Sequence, residues 1–247
     1  MLKRGLLIAL SGVDGSGKST QIRLLQKRLR SVGIGSVWIR CRWRPILSFP
    51  LVILLRHLGF AKVHVTRYVY IVEPLFRRTS RLVSFWCLIT QLENIAKITP
   101  KLIPLLFGRT VIADRYVLDM LVDGTASLHE PLDRPRLGFM LLLRLLPKPD
   151  KAFLIEIDPW TAFKRKPDLP QISDYTERMG LYLQQAARLG ITSIDGGLTV
   201  EQLNEAIWEK IFEPLATSAR PLGYPMNIHA DTATANSRRG SSQSHER

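Results

Sequence analysis

At 247 residues and 46% hydrophobic content, the chain has enough material for one α/β domain or two smaller ones with a buried core. Two cysteines, Cys41 and Cys87, without a C-x-x-C pair, and five scattered histidines exclude a disulfide framework and a protein-held transition metal. The formal net charge is +14 and unevenly placed: in residues 36–110, twelve Lys and Arg against Glu73 and Glu93 leave +10.

That basic segment is also rich in bulky apolar residues. It suits an anionic membrane surface, an anionic substrate at the mouth of a cleft, or a solvated rim whose arginine stems cover apolar surface. No nucleic-acid-binding module accompanies the charge, so nucleic acid is not an expected partner. The apolar runs at residues 46–55 and 82–92 fall short of the ~20 residues a spanning helix needs.

In chain order, the basic head Met1-Leu2-Lys3-Arg4 and the apolar residues after it imitate a secretion signal. The apolar part is too short and is consumed by the first strand, at residues 6–11, so a cytoplasmic protein is expected. Next comes GVDGSGKST, from Gly12 to Thr20, and then a helical pattern at residues 18–30 that Gly33 stops. Gly12, four residues, Gly17, Lys18 and Ser19 satisfy the G-x-x-x-x-G-K-S spacing between a strand and a helix, the context that makes a phosphate loop credible. Gly12, Gly15 and Gly17 let backbone N–H groups wrap phosphate oxygens, with Ser16 and Thr20 completing the cradle. Lys18 is expected on the β and γ phosphates of ATP, and the Ser19 hydroxyl on Mg2+.

Residues 36–40 read as a second strand, 46–62 as a helix despite Pro50, and 68–77 and 81–97 as further helices. Residues 110–113 read as a buried strand ending at Asp114. Then come a helix at 134–146, a strand at 152–157, a short helix at 160–166, a longer one at 173–189, a strand at 192–194 and a last helix at 200–211. Alternating strands and helices after a phosphate loop predict an α/β fold, a P-loop NTPase-type parallel sheet covered by helices on both faces. Such sheets gather ligands at the carboxyl ends of their strands. Residues 1–216 are expected to form the domain, and 217–247, poor in apolar periodicity, a flexible tail.

Taken together, LIALSGVDGSGKST, VIADRY (Val111 to Tyr116), IDPWTAFKRK (Ile157 to Lys166) and ITSIDGG (Ile191 to Gly197) resemble the thymidylate kinase family. The resemblance implies Mg2+-dependent phosphoryl transfer from ATP to a nucleoside monophosphate, nominally dTMP to dTDP. It assigns Asp14 to the acceptor sugar, Asp114 to magnesium-bound water, Arg115 to the acceptor phosphate, and the Lys164-Arg165-Lys166 stretch to a lid over ATP. Because position 15 is glycine, the loop supplies only Lys18, and Arg165 is the expected transition-state cation.

The centre of the chain departs from the family. Arg40-Cys41-Arg42-Trp43-Arg44-Pro45 stands where an Arg-Glu-Pro-Gly-Gly-like turn belongs, and near the base-reading arginine the chain has Glu93 or Asn94. Arg42 and Arg44 read either as substitute binders of acceptor phosphate or as exposed strand-end charges. Asp119 and Asp123, at i and i+4, share a helix face that is either solvent-facing or lines the cleft. The altered centre keeps two alternatives open: a kinase for another small-molecule or lipid-linked acceptor, and a membrane-surface nucleotide-binding module. A homodimer is left open as well.

Overall fold

The apolar run at the amino terminus becomes the central strand of a parallel sheet. In the computed structural model, the described residues are 4–42, 46, 48–59, 61–65, 70–74, 81–128, 137–167 and 171–213. In chain order they form β1 (Leu7–Ser11), α1 (Lys18–Ser31), β2 (Ser36–Arg40), α2 (Phe49–His57), β3 (Ala61–Val65), β4 (Tyr70–Pro74) and α3 (Arg81–Ile98). A 3-10 helix (Thr99–Phe107) leads to β5 (Thr110–Asp114), α4 (Val117–Leu128), α5 (Leu137–Leu145), β6 (Lys151–Glu156), α6 (Pro159–Arg165), α7 (Ile172–Leu189), β7 (Thr192–Asp195) and α8 (Val200–Phe212).

Five strands pair in the order β2-β5-β1-β6-β7, every pair parallel. Period-two alternation sorts their side chains to two faces. Ile8, Leu10, Ile112, Phe153 and Ile155 pack under α1 and α8, while Leu7, Ala9, Val111 and Ala113 pack against α3, α4, α5 and the 3-10 helix. On this second face a further core, with Leu154 at its base, seats α7 through Tyr175, Met179 and Tyr182. The sheet is therefore buried on both sides, as the continuous apolar strands require. With β5 on one side of β1 and β6 on the other, strand order switches direction at β1, and its carboxyl end opens into the crevice where such sheets bind ligands.

Helix ends follow local chemistry. Thr199 and Gln202 form a reciprocal capping box at α8, and Asp158 caps α6 by accepting from Thr161 N. Two readings of the centre are corrected. The expected helix over 46–62 ends at His57, with Gly59 at φ +72°, and residues 61–65 are strand. Of the expected helix over 68–77, the described residues 70–74 are instead β4, antiparallel to β3. Tyr70, Ile71 and Val72 are β-formers, and that content outweighs the helical spacing. The expected tail at 217–247, Arg44 and residues 134–136 lie outside the described residues.

Candidate functional site

The loop after β1 is shaped by its glycines. Gly12, Gly15 and Gly17 have φ of +141°, +87° and +91°, conformations that cost a residue with a Cβ. Space is equally restrictive: a Cβ on Gly12 would lie 2.8 Å from the Ile155 carbonyl oxygen, and one on Gly15 2.4 Å from that of Ala162. β6 and α6 thus press on the loop from outside. Ser16 N donates to Val13 O, and Gly17 O accepts from Thr20 N and Gln21 N as α1 begins.

Lys18 points into its own loop. Its Nζ donates to Gly12 O at 2.8 Å, Val13 O at 2.7 Å and Ser16 Oγ at 3.2 Å. Burial, reinforced by the Arg115 charge and opposed by Asp14, Asp119 and Asp114, lowers its pKa to about 8. Ser19 is half-buried beside it and Thr20 is exposed.

Across the crevice, Asp114 ends β5 in register with Leu10, so the carboxylate stands beside the start of the loop. It is buried, and its Oδ2 accepts from Arg40 Nε at 3.0 Å. The next residue, Arg115, donates its backbone N–H to Leu10 O and takes φ +66°, the one positive φ outside glycine among the described residues. Its guanidinium lies 2.8 Å from Asp14 Oδ1, 3.5 Å from Asp119 Oδ1 and 3.4 Å from Tyr182 Oη.

Asp14 collects two more cations: Arg42 at 3.6 Å, just past β2, and Lys166 at 3.5 Å, just past α6. Burial opposes its ionisation, but Arg115, Lys18, Arg42 and Lys166 outweigh it and hold the carboxyl far below the usual carboxylate range. Cations from three separate chain segments therefore meet at one loop carboxylate, a field in which a phosphate can compete for the same partners.

Asp119 is 1% exposed and accepts from Ser11 Oγ at 2.6 Å, Tyr182 Oη at 2.7 Å and Tyr116 N at 3.1 Å. Burial raises its pKa, against the pull of Arg115, Lys18, Ser11 and Tyr182. Asp123 is more open and pairs with Arg178 at 2.5 Å. The solvent-facing reading is thus corrected for Asp119, which is held in the core beneath the loop by its hydrogen bonds.

Of the expected site residues, the structure gathers Gly12, Asp14, Gly15, Ser16, Gly17, Lys18, Arg42, Asp114 and Arg115 around the carboxyl ends of β1, β2 and β5. Arg165 is exposed at the end of α6, and from its stretch it is Lys166 that reaches Asp14. Tyr182 and Arg40 join the site unannounced. Tyr182 lies 67 residues from Arg115 and belongs to no motif, so only the packing of α7 against α4 reveals it.

Glu93 has a different duty from base reading. It is buried and accepts from Ile46 N at 2.6 Å, Ser48 N at 3.1 Å and Ser48 Oγ at 2.5 Å, tying down the entry to α2.

Among the described residues no group of three His, Cys, Asp or Glu can hold a metal unaided. Magnesium needs less, since it keeps waters and substrate phosphates and takes one or two protein oxygens. The Ser19 hydroxyl and the buried Asp114 carboxylate fit that donor set. A separate cavity of about 400 Å³ at the ends of β6 and β7 is lined by Glu156, Asp158 and Asp195, a charge that disfavours phosphates.

No helix among the described residues is long and apolar enough to cross a membrane. No family model matches the chain. A stretch of 37 residues is 54% identical to the thymidylate kinase of Halothermothrix orenii, covering 15% of this chain and 18% of that protein, so the match spans less than a fifth of its relative.

Proposed function

We propose that the chain is a kinase that transfers the γ-phosphoryl group of ATP to a phosphate-bearing small molecule, nominally dTMP, a nucleoside monophosphate. The carrying observation is Asp14, a phosphate-loop residue gripped by Arg115 and Arg42 from the ends of β5 and β2. Nucleotide loop and acceptor cations then share one carboxylate. The short match to a thymidylate kinase supports the same class of reaction.

In this reading the Lys18 ammonium leaves its loop oxygens for the β and γ phosphates. Arg115, Arg42 and Lys166 turn from Asp14 to the acceptor phosphate and orient it toward the loop. Asp14 is then free to meet an acceptor hydroxyl. A phosphate monoester with a second pKa of ~6 already carries a nucleophilic oxygen at neutral pH, so no general base is required. Magnesium held by Ser19 and Asp114 would neutralise charge on the phosphates. Arg165 joins on closure of the lid, where its charge acts mainly in the transition state.

One observation favours a different acceptor. Of Glu93 and Asn94, near the place of the expected base-reading arginine, Glu93 is committed to the entry of α2 and Asn94 donates to Gln91, so neither stands in for that arginine. Mg2+-dependent ADP release, measured with nucleoside monophosphates, sugar phosphates and a polyprenyl phosphate, separates the two. The proposal expects acceleration by a phosphate monoester and its loss in Lys18→Ala. Acceleration by none of them contradicts it, and acceleration by a sugar or polyprenyl phosphate alone selects the second reading.

A further inference from the structure

The short helix α2 buries only a narrow stripe, Val52 and Leu55, with Ser48 at its entry. Much of its exposed surface is apolar too. On the helix Phe49, Ile53 and Leu54 are 43%, 40% and 53% exposed, and Ile46 before it and Leu58 at its end are 66% and 57% exposed. Arg56 and His57 stand exposed beside them. Scattered apolar residues are ordinary on a surface, but five on and beside one short helix form a patch.

The patch is also held still. Glu93 fixes both Ile46 N and Ser48 N and pairs with Lys97 at 2.5 Å, so the helix entry is anchored to α3.

We propose that α2 seats this protein on an anionic phospholipid bilayer, its exposed apolar side entering the headgroup boundary and Arg56 facing lipid phosphates. Charge decides the occupant. Residues 36–59 contain no Asp or Glu, and while Arg40 and Arg42 are held at the loop site, Arg56 stands exposed on α2 itself, in a segment whose net charge is +10. A bilayer offers apolar depth and diffuse negative charge together. A second copy would bring the same positive charge against itself, and a helix of nine residues is small for an interface of about 1,200 Å² or more. From Arg42, beside Asp14, the chain reaches Ile46 within four residues, so the acceptor side of the site adjoins the docking helix.

The test is co-flotation of the full chain with vesicles of equal parts phosphatidylglycerol and phosphatidylcholine, against phosphatidylcholine alone. The wild type floats with the anionic vesicles at low salt, less at high salt, and not with the zwitterionic ones. Replacing Ile53 and Leu54 together by Gln weakens binding by about tenfold or more, with an unchanged melting temperature. An environment-sensitive dye on Phe49→Cys, with Cys41 and Cys87 both buried, shifts to the blue on vesicle binding, and the same dye on Glu209→Cys of α8 does not. Flotation of the double variant like wild type, no binding at low salt, a blue shift at both dye positions, or conversion of a dimer to a monomer by the double variant each overturns the proposal.

Discussion

At Arg115 the backbone takes a left-handed conformation that costs a non-glycine residue on the order of 1–2 kcal/mol. It persists because Leu10 O fixes the residue's N–H while Asp14, Asp119 and Tyr182 fix its guanidinium. Removing Asp119, as in Asp119→Ala, leaves that cation buried without its second partner. The fold should lose about 3 kcal/mol in denaturant unfolding, and acceptor KM should rise more than ATP KM. Equal changes in both KM values would deny Asp119 a part in aiming Arg115.

Asp14 gives a pH signature. Its folded pKa lies below the unfolded value, so its contribution to stability is complete above ~4 and is lost as the pH falls below that. Asp14→Asn should lower the neutral-pH melting temperature while added pyrophosphate restores part of it, because Arg42, Arg115 and Lys166 then lack a counter-anion. A variant as stable as wild type at neutral pH, or indifferent to pyrophosphate, would show that these cations are not an anion cradle.

Among the elements, α6 sets what the phosphate loop can hold. The Ala162 carbonyl fills the place a Cβ on Gly15 would take, which explains why the loop carries no second cation at that position. Gly15→Ala should push α6 off the loop, lowering the melting temperature by several degrees and weakening ATP binding. Unchanged binding of ATP would mean that the contact between loop and helix is not needed.

Strand, glycine loop and α1 are adjacent in the chain, so periodicity and spacing alone define this part of the fold. The Asp114-Arg115 pair was legible as well, because a buried apolar strand announces its own end. The centre was not: β3 and β4 depend on pairing across four intervening residues, and the helix-like spacing at 68–77 gave no sign of that partner. Tyr182 and the burial of Asp119 arise from α7 packing on α4, which no local pattern encodes.

Over the whole molecule, a parallel sheet in the order β2-β5-β1-β6-β7 brings the loop, Arg42, Arg115 and the segment after α6 to one edge. The excess positive charge lies in the same half of the chain as the departures from the thymidylate kinase pattern, around residues 36–110. In the proposed reading, nucleotide handling rests on the regular part of the fold, and acceptor choice and surface attachment on the divergent part.

Calorimetric titration of an unreactive ATP analogue with Mg2+, into wild type and Lys18→Ala over a range of pH, decides whether this loop takes a triphosphate. With the Lys18 pKa at about 8 in the empty loop, wild-type affinity should hold at lower pH and fall as the pH rises through that value, while the variant binds far more weakly and without that dependence. No binding by wild type, or equal affinity in the two proteins, would contradict the assignment of a triphosphate to this loop.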